Sequence, residues 1–209
     1  MPSPALPDPL RGVLFDMDGV LIDSGRIWYD VLQRVVRDLG GPEVAYADFA
    51  ATFGQGATAD MRQFFEGLSR QAVTARYYEV FPDYLDGLRL MPGAVELLDA
   101  LQHRGLARAV VTNTPRDLAG LMLGRFDLLQ RFDTVVGSDE APEKPAPDMI
   151  HLALGRLGLL PGEVVYVGDS ASDRGATHAA GVFMFGLGHP AEVTISRLDQ
   201  LLPRLPGRV

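Results

Sequence analysis

The 209-residue sequence predicts an α/β protein: a doubly wound, Rossmann-like parallel sheet with a small all-helical cap inserted after the first strand. Short apolar runs alternate with segments of helical spacing, which is typical of a parallel sheet covered by helices on both faces. The spacing of the strand ends is unequal: Asp16 to Thr112 is 112 − 16 = 96 residues, but Thr112 to Val136 is only 136 − 112 = 24. Since a βαβ unit needs only about 30 residues, about sixty residues form an insert after the first strand.

The individual elements can be predicted in chain order. The apolar run at residues 12–15 contains β-branched and aromatic residues and predicts a buried first strand. Apolar residues at helical spacing then predict four helices, at 26–39, 44–53, 58–68 and 72–85. The later strands are predicted at 108–112, 134–137, 163–167 and 182–185. The later helices are predicted at 93–103, after Pro115, and at 148–157, 172–180 and 194–202.

These elements predict a chain of three parts. Residues 1–10, with four prolines, form a disordered N-terminal lead, and residues 24–88 form the helical cap. Residues 11–23 and 89–209 form the α/β core. Because the cap follows the first strand directly, we expect it to lie over the end of that strand.

Composition restricts the function classes. Hydrophobic residues make up 47% and charged residues 22%, which is typical of a soluble globular protein. The net charge of −8 argues against nucleic acid or an anionic membrane as a partner. The absence of cysteine excludes disulfides and thiolate metal sites, and no apolar run approaches the roughly 20 residues of a membrane span. The N-terminus has no basic region typical of a signal peptide. We therefore expect a monomeric cytoplasmic enzyme.

Every chemically suggestive polar residue follows a predicted strand. In strand order these residues are Asp16 with Asp18, Thr112 with Asn113, Lys144, and Asp169 with Asp173. Ligands bind at the carboxyl ends of parallel strands, so we expect these side chains to converge. Asp16 and Asp18 would repel each other unless a metal ion or a shared proton relieved them, and Gly19 permits the following turn. Each residue alone also fits an ordinary strand end, turn or helix cap. Their joint placement favours one catalytic site.

Lys144 stands out by composition. The chain has 19 Lys and Arg residues, of which 18 are arginines and Lys144 is the single lysine. Lysine carries a compact ammonium rather than a planar fork, so this position predicts a need for a point charge. We expect Lys144→Arg to fold normally but to lose turnover.

The motifs resemble those of the haloacid dehalogenase superfamily. The matching segments are Asp-Met-Asp-Gly-Val (16–20), Thr112, Lys-Pro-Ala-Pro-Asp (144–148), and Gly-Asp-Ser-x-x-Asp (168–173) followed by Ala-Ala-Gly (179–181). The insert resembles the small helical cap of the subgroup that contains phosphoglycolate phosphatases and β-phosphoglucomutases. The resemblance implies a Mg²⁺-dependent phosphatase that acts on a small phosphorylated metabolite through an aspartyl phosphate. It also implies a sheet with the first strand at its centre.

The resemblance also implies catalytic roles. Asp16 would be the nucleophile, and Asp18 would protonate the leaving alcohol and then deprotonate the attacking water. Thr112 and the neighbouring backbone would hold phosphoryl oxygens, and Lys144 would neutralise the phosphoryl group. Gly19 and Asn113 are further substrate-binding candidates.

For the metal, the resemblance implies that Mg²⁺ is bound by Asp16, Asp169 and the backbone carbonyl of Asp18, with Asp173 supporting this shell. The four aspartates and Lys144 sum to −3 before a phosphate dianion arrives, which accounts for the need for a divalent cation.

Several alternatives stay open to different degrees. A sugar-phosphate mutase on the same scaffold is the nearest, although mutases of this kind usually carry serine and lysine where this chain reads Thr112 to Arg116. A phospho-signalling receiver would lack the cap and the second aspartate. A dehalogenase needs no metal and no Asp18, and an inactive binding protein should have lost a motif residue.

The predicted cap offers two candidate substrate contacts. Gln55 lies in a Gly-rich loop, and Arg62 follows it. We expect phosphoglycolate, or another small carboxylated or sugar phosphate, to be held by a cap arginine such as Arg62.

Overall fold

A computed structural model describes residues 4–55 and 57–206, apart from the side chain of Ala57. Its main feature is a six-stranded parallel sheet with the order β5-β4-β1-β6-β7-β8. The strands of this sheet are β1 (Gly12–Phe15), β4 (Ala107–Val111), β5 (Thr134–Val136), β6 (Val164–Gly168), β7 (Phe183–Leu187) and β8 (Val193–Ile195). Two short strands, β2 (Ile22–Asp23) and β3 (Arg89–Leu90), form a separate antiparallel pair.

Strand β1 lies at the centre of the sheet. Gly12 pairs with Ala107 of β4 on one side and with Val164 of β6 on the other. The chain builds the sheet outward from β1 first to β5 and then, on the other side, to β8, so strand order reverses beside β1. This arrangement confirms the predicted fold class and places a ligand-binding crevice at the carboxyl end of β1.

Helices lie on both faces of the sheet and in the insert. The helices of the insert are α1 (Gly25–Asp38), α2 (Tyr46–Thr52), α3 (Ala57–Phe64) and α4 (Arg70–Val80), and those on the faces of the sheet are α5 (Ala94–His103), α6 (Arg116–Gly124), α7 (Asp148–Leu157) and α8 (Ala171–Ala180). Val13 and Phe15 of β1 share one apolar cluster with α5 and α6, whereas Leu14 shares the other with α7 and α8. Alternate residues of a strand face opposite sides, so β1 contributes to both halves of the core.

Helices α1 to α4 occupy the chain between β2 and β3. Their buried residues, among them Val31, Phe49 and Val73, belong to the same cluster as Val13 and Phe15. The insert is therefore packed against the core on the side of α5 and α6. The exact domain boundaries predicted above stay a prediction.

The predicted helix at 194–202 is wrong. Strand β8 lies there instead, with Val193 paired to Phe185, followed by single 3₁₀ turns at Leu198–Gln200 and Leu202–Arg204. The spacing of apolar residues in this short segment is compatible with a helix or a strand. Hydrogen bonding to the edge strand β7 stabilises the strand. At the other end, residues 1–3 of the predicted disordered lead lie outside the described residues. Pro7 is buried, and Leu10 packs against the core.

No helix among residues 4–55 and 57–206 is long and apolar enough to cross a membrane.

Candidate active site

The two aspartates after β1 have different surroundings. Asp16 follows the strand directly, and its Oδ1 accepts a hydrogen bond from the backbone N–H of Met17 at 2.7 Å and lies 3.0 Å from Nζ of Lys144. Asp18 lies two residues on, and its carboxylate accepts hydrogen bonds from Trp28, Thr114 and Ser24. One carboxylate is thus paired with a cation, and the other is held only by neutral donors.

Lys144 is buried at the centre of the site, with a side chain that is 1% exposed. Its ammonium donates to Oδ1 of Asp173 at 2.7 Å, to the hydroxyl of Tyr166 at 3.0 Å and to the carbonyl of Val111 at 3.1 Å. Burial alone would lower its pKa, but Asp16 and Asp173 more than compensate and hold the pKa above its usual value. Lys144 is therefore a fixed cation, which agrees with the expectation drawn from its being the single lysine of the chain.

Asp173 is bound by protein groups through both oxygens. Its Oδ1 accepts from Lys144 and from the hydroxyl of Tyr166 at 2.8 Å, while Oδ2 accepts from Oγ of Ser170 at 2.6 Å and from the backbone N–H of Asp169 at 3.2 Å. Burial raises its pKa, but Lys144 and these hydrogen bonds lower it to a net value below the ordinary one. This pattern fits a supporting group better than a direct metal ligand.

Asp169 approaches the turn after β1. Gly19 has φ +75°, and a Cβ built there would come within 2.0 Å of Oδ2 of Asp169. Only glycine therefore allows both the left-handed turn and the close approach of this carboxylate.

Carboxylate oxygens of Asp16, Asp169 and Asp173 lie within 4.8 Å of one another. Burial and the charge of Asp173 raise the pKa of Asp16 well above its ordinary value, against the opposing effect of Lys144. The same two causes raise the pKa of Asp169 to about 7. The cluster thus carries more negative charge than its single lysine neutralises. Hard oxygen ligands with surplus negative charge suit Mg²⁺, so the residues present fit this ion.

Three donors fix the carboxylate of Asp18. Ser24 Oγ donates to Oδ1 at 2.5 Å, Trp28 Nε1 donates to the same oxygen at 2.8 Å, and Thr114 Oγ1 donates to Oδ2 at 2.8 Å. Ser24 and Trp28 belong to the start of the insert, whereas Thr114 follows β4. The carboxylate of Asp18 is not part of the cluster formed by Asp16, Asp169 and Asp173, and the predicted role of its backbone carbonyl as a metal ligand stays a prediction.

The loop after β4 joins several parts of the site. Thr112 is buried, and its hydroxyl accepts from the backbone N–H of Thr114 at 3.1 Å. The amide of Asn113 donates to the carbonyls of Gly54 at 3.2 Å and Lys144 at 3.1 Å, and its Oδ1 accepts from the backbone N–H of Lys144 at 2.8 Å. Asn113 therefore connects the core loops to the insert, and a direct contact with substrate stays a prediction.

A cavity of about 110 Å³ lies between these residues and the insert. From the core it is lined by Asp16, Asp18, Thr112, Asn113, Thr114, Pro115 and Leu118. From the insert it is lined by Trp28, Leu32, Phe49, Thr52, Phe53, Gly54, Asp60, Thr74, Tyr77 and Tyr78. The insert therefore forms the upper wall of the cavity over the aspartates, as its position in the sequence predicts.

The two predicted insert contacts do not line this cavity. Gln55 is exposed and lines a neighbouring depression together with Asp18 and Asp169. Arg62 is exposed and lines another depression with Arg70 and the loop before Lys144. Their substrate-binding roles stay predictions.

Sequence reasoning missed five residues of the site: Ser24, Trp28, Asp60, Thr114 and Tyr166. Two of them carried a usable signal. Tyr166 is the single polar side chain in the buried run Val164–Gly168, and Thr114 follows Thr112 by two positions. The other three lie on or beside helices, where nothing in the local pattern distinguishes a residue that faces a cavity.

Comparison with known proteins agrees with this geometry. A family model described as haloacid dehalogenase-like hydrolase matches residues 13–187. A phosphoglycolate phosphatase from Pseudomonas putida is 30% identical over 216 residues, which cover 94% of this chain and 79% of that protein. Among solved structures, CbbY from Rhodobacter sphaeroides in complex with phosphate has a TM-score of 0.81 at 21% identity, covering 92% of this chain and 96% of that one. A β-phosphoglucomutase from Clostridium difficile has a TM-score of 0.81 at 15% identity, covering 92% and 93%.

The fold, the acidic cluster and these relatives define an enzyme of the phosphoric monoester hydrolase class, which confirms the predicted class. The chain belongs to the haloacid dehalogenase-like hydrolase family. The solved structures share the fold of the core and the insert, and at their low identities they carry no further information on substrate.

Proposed function

We propose that the chain is a Mg²⁺-dependent phosphatase, phosphoglycolate phosphatase-like in its sequence and fold, that hydrolyses a small phosphate monoester through an aspartyl phosphate on Asp16. The observation that carries the proposal is the 3.0 Å contact between Asp16 Oδ1 and Lys144 Nζ, together with the cavity that Asp16 and a second carboxyl, Asp18, both line. The nucleophile is thus paired with a fixed cation and lies near a proton donor. These are the groups that phosphoryl transfer to a carboxylate requires.

The chain's own residues account for the two half-reactions. Asp16 attacks phosphorus and the bond from phosphorus to the leaving oxygen breaks, while Asp18 gives its proton to that oxygen. Asp18 then takes a proton from water, which attacks the aspartyl phosphate and releases inorganic phosphate. The donors from Ser24, Trp28 and Thr114 hold Asp18 in one orientation for both steps. Thr112 and the backbone beside it would bind the phosphoryl oxygens.

Asp16, Asp169 and the backbone carbonyl of Asp18 would hold Mg²⁺, with Asp173 orienting the shell from behind. When bound, the ion supplies positive charge that offsets the phosphate dianion and the clustered carboxylates. The raised pKa of Asp16 supports this assignment, because a nucleophile must be ionised and its neighbours oppose ionisation.

The relatives and the size of the cavity indicate which esters to test first. The Pseudomonas putida relative is a phosphoglycolate phosphatase, so phosphoglycolate is the first ester to test. A cavity of about 110 Å³ favours a small leaving group, since ligand pockets for larger molecules measure about 300–1,000 Å³.

The test is phosphate release from 4-nitrophenyl phosphate and a panel of small monoesters, with Mg²⁺ and with EDTA. Asp16→Asn should abolish turnover because an amide cannot attack phosphorus. Asp83→Asn, at an exposed position of the insert, is the matched control and should keep full activity. Undiminished turnover of Asp16→Asn, or of the wild type in EDTA, would contradict the proposal.

The same assay separates the alternative of a sugar-phosphate mutase. A phosphatase releases inorganic phosphate from a sugar monophosphate, whereas a mutase returns an isomeric sugar phosphate and needs a bisphosphate to start. Isomerisation without phosphate release would favour the mutase.

A cytoplasmic location and a monomeric state belong to the same proposal. Cell fractionation and light scattering of the purified chain test them.

A further inference from the structure

The wall that the insert contributes to the cavity is aromatic and contains one formally charged side chain. Trp28, Phe49, Phe53, Tyr77 and Tyr78 supply the rings, and Asp60 of α3 supplies a carboxyl. No arginine or lysine is among the lining residues that the structure describes. The part of the site that meets the leaving group is thus apolar and acidic, with no cation to receive a second anion.

Asp60 is a carboxyl without a charge partner in the part of the chain that the structure describes. Within residues 4–55 and 57–206 it forms no ion pair, and the groups that act on its pKa are the hydroxyl of Thr52 and the carboxylate of Glu143. Burial raises the pKa of Asp60 to about 7, Thr52 opposes the rise, and the charge of Glu143 adds to it. The charge of Asp60 in turn contributes to the raised pKa of Tyr77, which lies in the same wall. An unneutralised carboxyl in a ring-lined cavity is costly unless a ligand compensates it.

This geometry opposes a carboxylated leaving group. Such a group would place a second negative charge near Asp60 with no cation between them, because Arg62 is exposed and outside the cavity. A positively charged group would instead be attracted to Asp60. It can form a charge-assisted hydrogen bond with Asp60 and lie against the faces of the rings.

Resting on the phosphatase proposed above, we infer that the substrate is the phosphate monoester of a short amino alcohol, with its ammonium group held between Asp60 and the aromatic wall. The bonds formed and broken are the same as in the phosphatase reaction proposed above. The phosphorus–oxygen bond to the amino alcohol breaks as Asp16 attacks, the alkoxide takes the proton of Asp18, and water then releases inorganic phosphate. Asp60 binds the leaving group and takes no part in bond breaking.

Three esters that differ in one terminal group test the inference: 2-aminoethyl phosphate, 2-hydroxyethyl phosphate and phosphoglycolate. We expect kcat/KM at pH 8, with Mg²⁺, to be at least ten-fold higher for the amino ester than for the hydroxyl ester, and lowest for phosphoglycolate. Equal values, or a preference for phosphoglycolate, would overturn the inference. 4-Nitrophenyl phosphate is measured in parallel. Turnover of that ester without the amine preference would leave the phosphatase proposal standing, whereas no turnover of any ester would overturn both.

A substitution assigns the preference to Asp60. In Asp60→Asn the ratio of kcat/KM between the amino and hydroxyl esters should fall to about 1, while Asp48→Asn, at an exposed position of α2, should keep the wild-type ratio. An unchanged ratio in Asp60→Asn would remove Asp60 from substrate recognition and overturn the inference. Circular dichroism confirms that both variants are folded, and the ester series on the wild type does not depend on either of them.

Discussion

Replacing Lys144 by methionine should cost both stability and turnover. The ammonium contacts four oxygens, those of Asp16, Asp173, Tyr166 and Val111, at 2.7–3.1 Å. Methionine nearly matches the length of lysine and removes only the charge, so Asp16 and Asp173 are left buried without a cation. Removing one partner of a buried ion pair costs about 3–5 kcal/mol. We therefore expect Lys144→Met to lose about this much unfolding free energy at pH 7.

The loss of stability in Lys144→Met should depend on pH. Lys144 is a main reason why the pKa of Asp173 is lowered in the folded protein. A lowered carboxyl pKa stabilises the fold above the unfolded value, about 3.9, and this stabilisation disappears as pH falls through the folded value. The difference between wild type and Lys144→Met should therefore be largest near neutral pH and shrink toward pH 3.

Lys144→Arg separates charge from shape. The guanidinium keeps the charge but must fit where the lysine is 1% exposed, so overpacking should cost about 1–3 kcal/mol. The normal folding expected from the sequence for this variant does not agree with so complete a burial. Its kcat should still fall about 10²-fold or more, because the positive charge no longer lies at the same point.

Urea unfolding followed by far-UV circular dichroism, together with kcat on 4-nitrophenyl phosphate, measures both effects. Arg26→Met is the control, since Arg26 forms an exposed pair with Asp30 and such pairs contribute only about 0–1 kcal/mol. If Lys144→Met kept wild-type stability at pH 7 and an undiminished kcat, the buried lysine would have neither role.

Three further predictions concern single contacts. Trp28→Phe keeps the ring but removes the donor to Asp18, so kcat should fall about ten-fold, with KM little changed; an equal loss in KM would indicate damage to the cavity wall instead. Gly19→Ala forces a Cβ against Asp169 at a positive φ, so it should weaken Mg²⁺ activation in a metal titration, and a wild-type titration curve would contradict this reading. Because the raised pKa of Asp60 makes the fold lose stability as pH rises from about 4 to about 7, Asp60→Asn should gain up to about 4 kcal/mol relative to wild type at pH 8 and almost nothing at pH 4. Urea unfolding at the two pH values measures this, and a pH-independent difference would argue against a buried, ionisable Asp60.

The local sequence pattern was sufficient to predict the first strand and the site residues that follow the strands. The run before Asp16 could only be a buried strand, and the parallel topology then brought Asp16, Lys144 and Asp169 to one edge. The convergence of these side chains followed from strand order alone, without any knowledge of packing.

Pattern was insufficient where tertiary contacts decide. The spacing around Val193 fits a helix as well as a strand, and only the exposed edge of β7 selects the strand. Arg62 and Asp60 lie two positions apart on α3 and therefore on nearly opposite faces, so the rotation of the helix about its axis decides which of them faces the cavity. No local signal in the sequence reports that rotation. The donors that hold Asp18 were missed for the same reason, because Trp28 reaches it across ten residues of chain.

The short pair β2 and β3 has a consequence for how this molecule can change in evolution. The chain leaves and re-enters the core side by side, with Ile22 paired to Leu90 and Asp23 to Arg89. Because β2 and β3 are paired, the segment between them acts as a loop whose two ends are held together. Each doubling of the length of such a loop adds only about 0.6 kcal/mol of closure entropy. Helices can therefore be gained, lost or exchanged between these two strands while the folding of the sheet is left almost unchanged. New leaving groups can be accommodated by rebuilding this segment beyond Ser24 and Trp28, which hold Asp18, and the site residues of the core need not change with it.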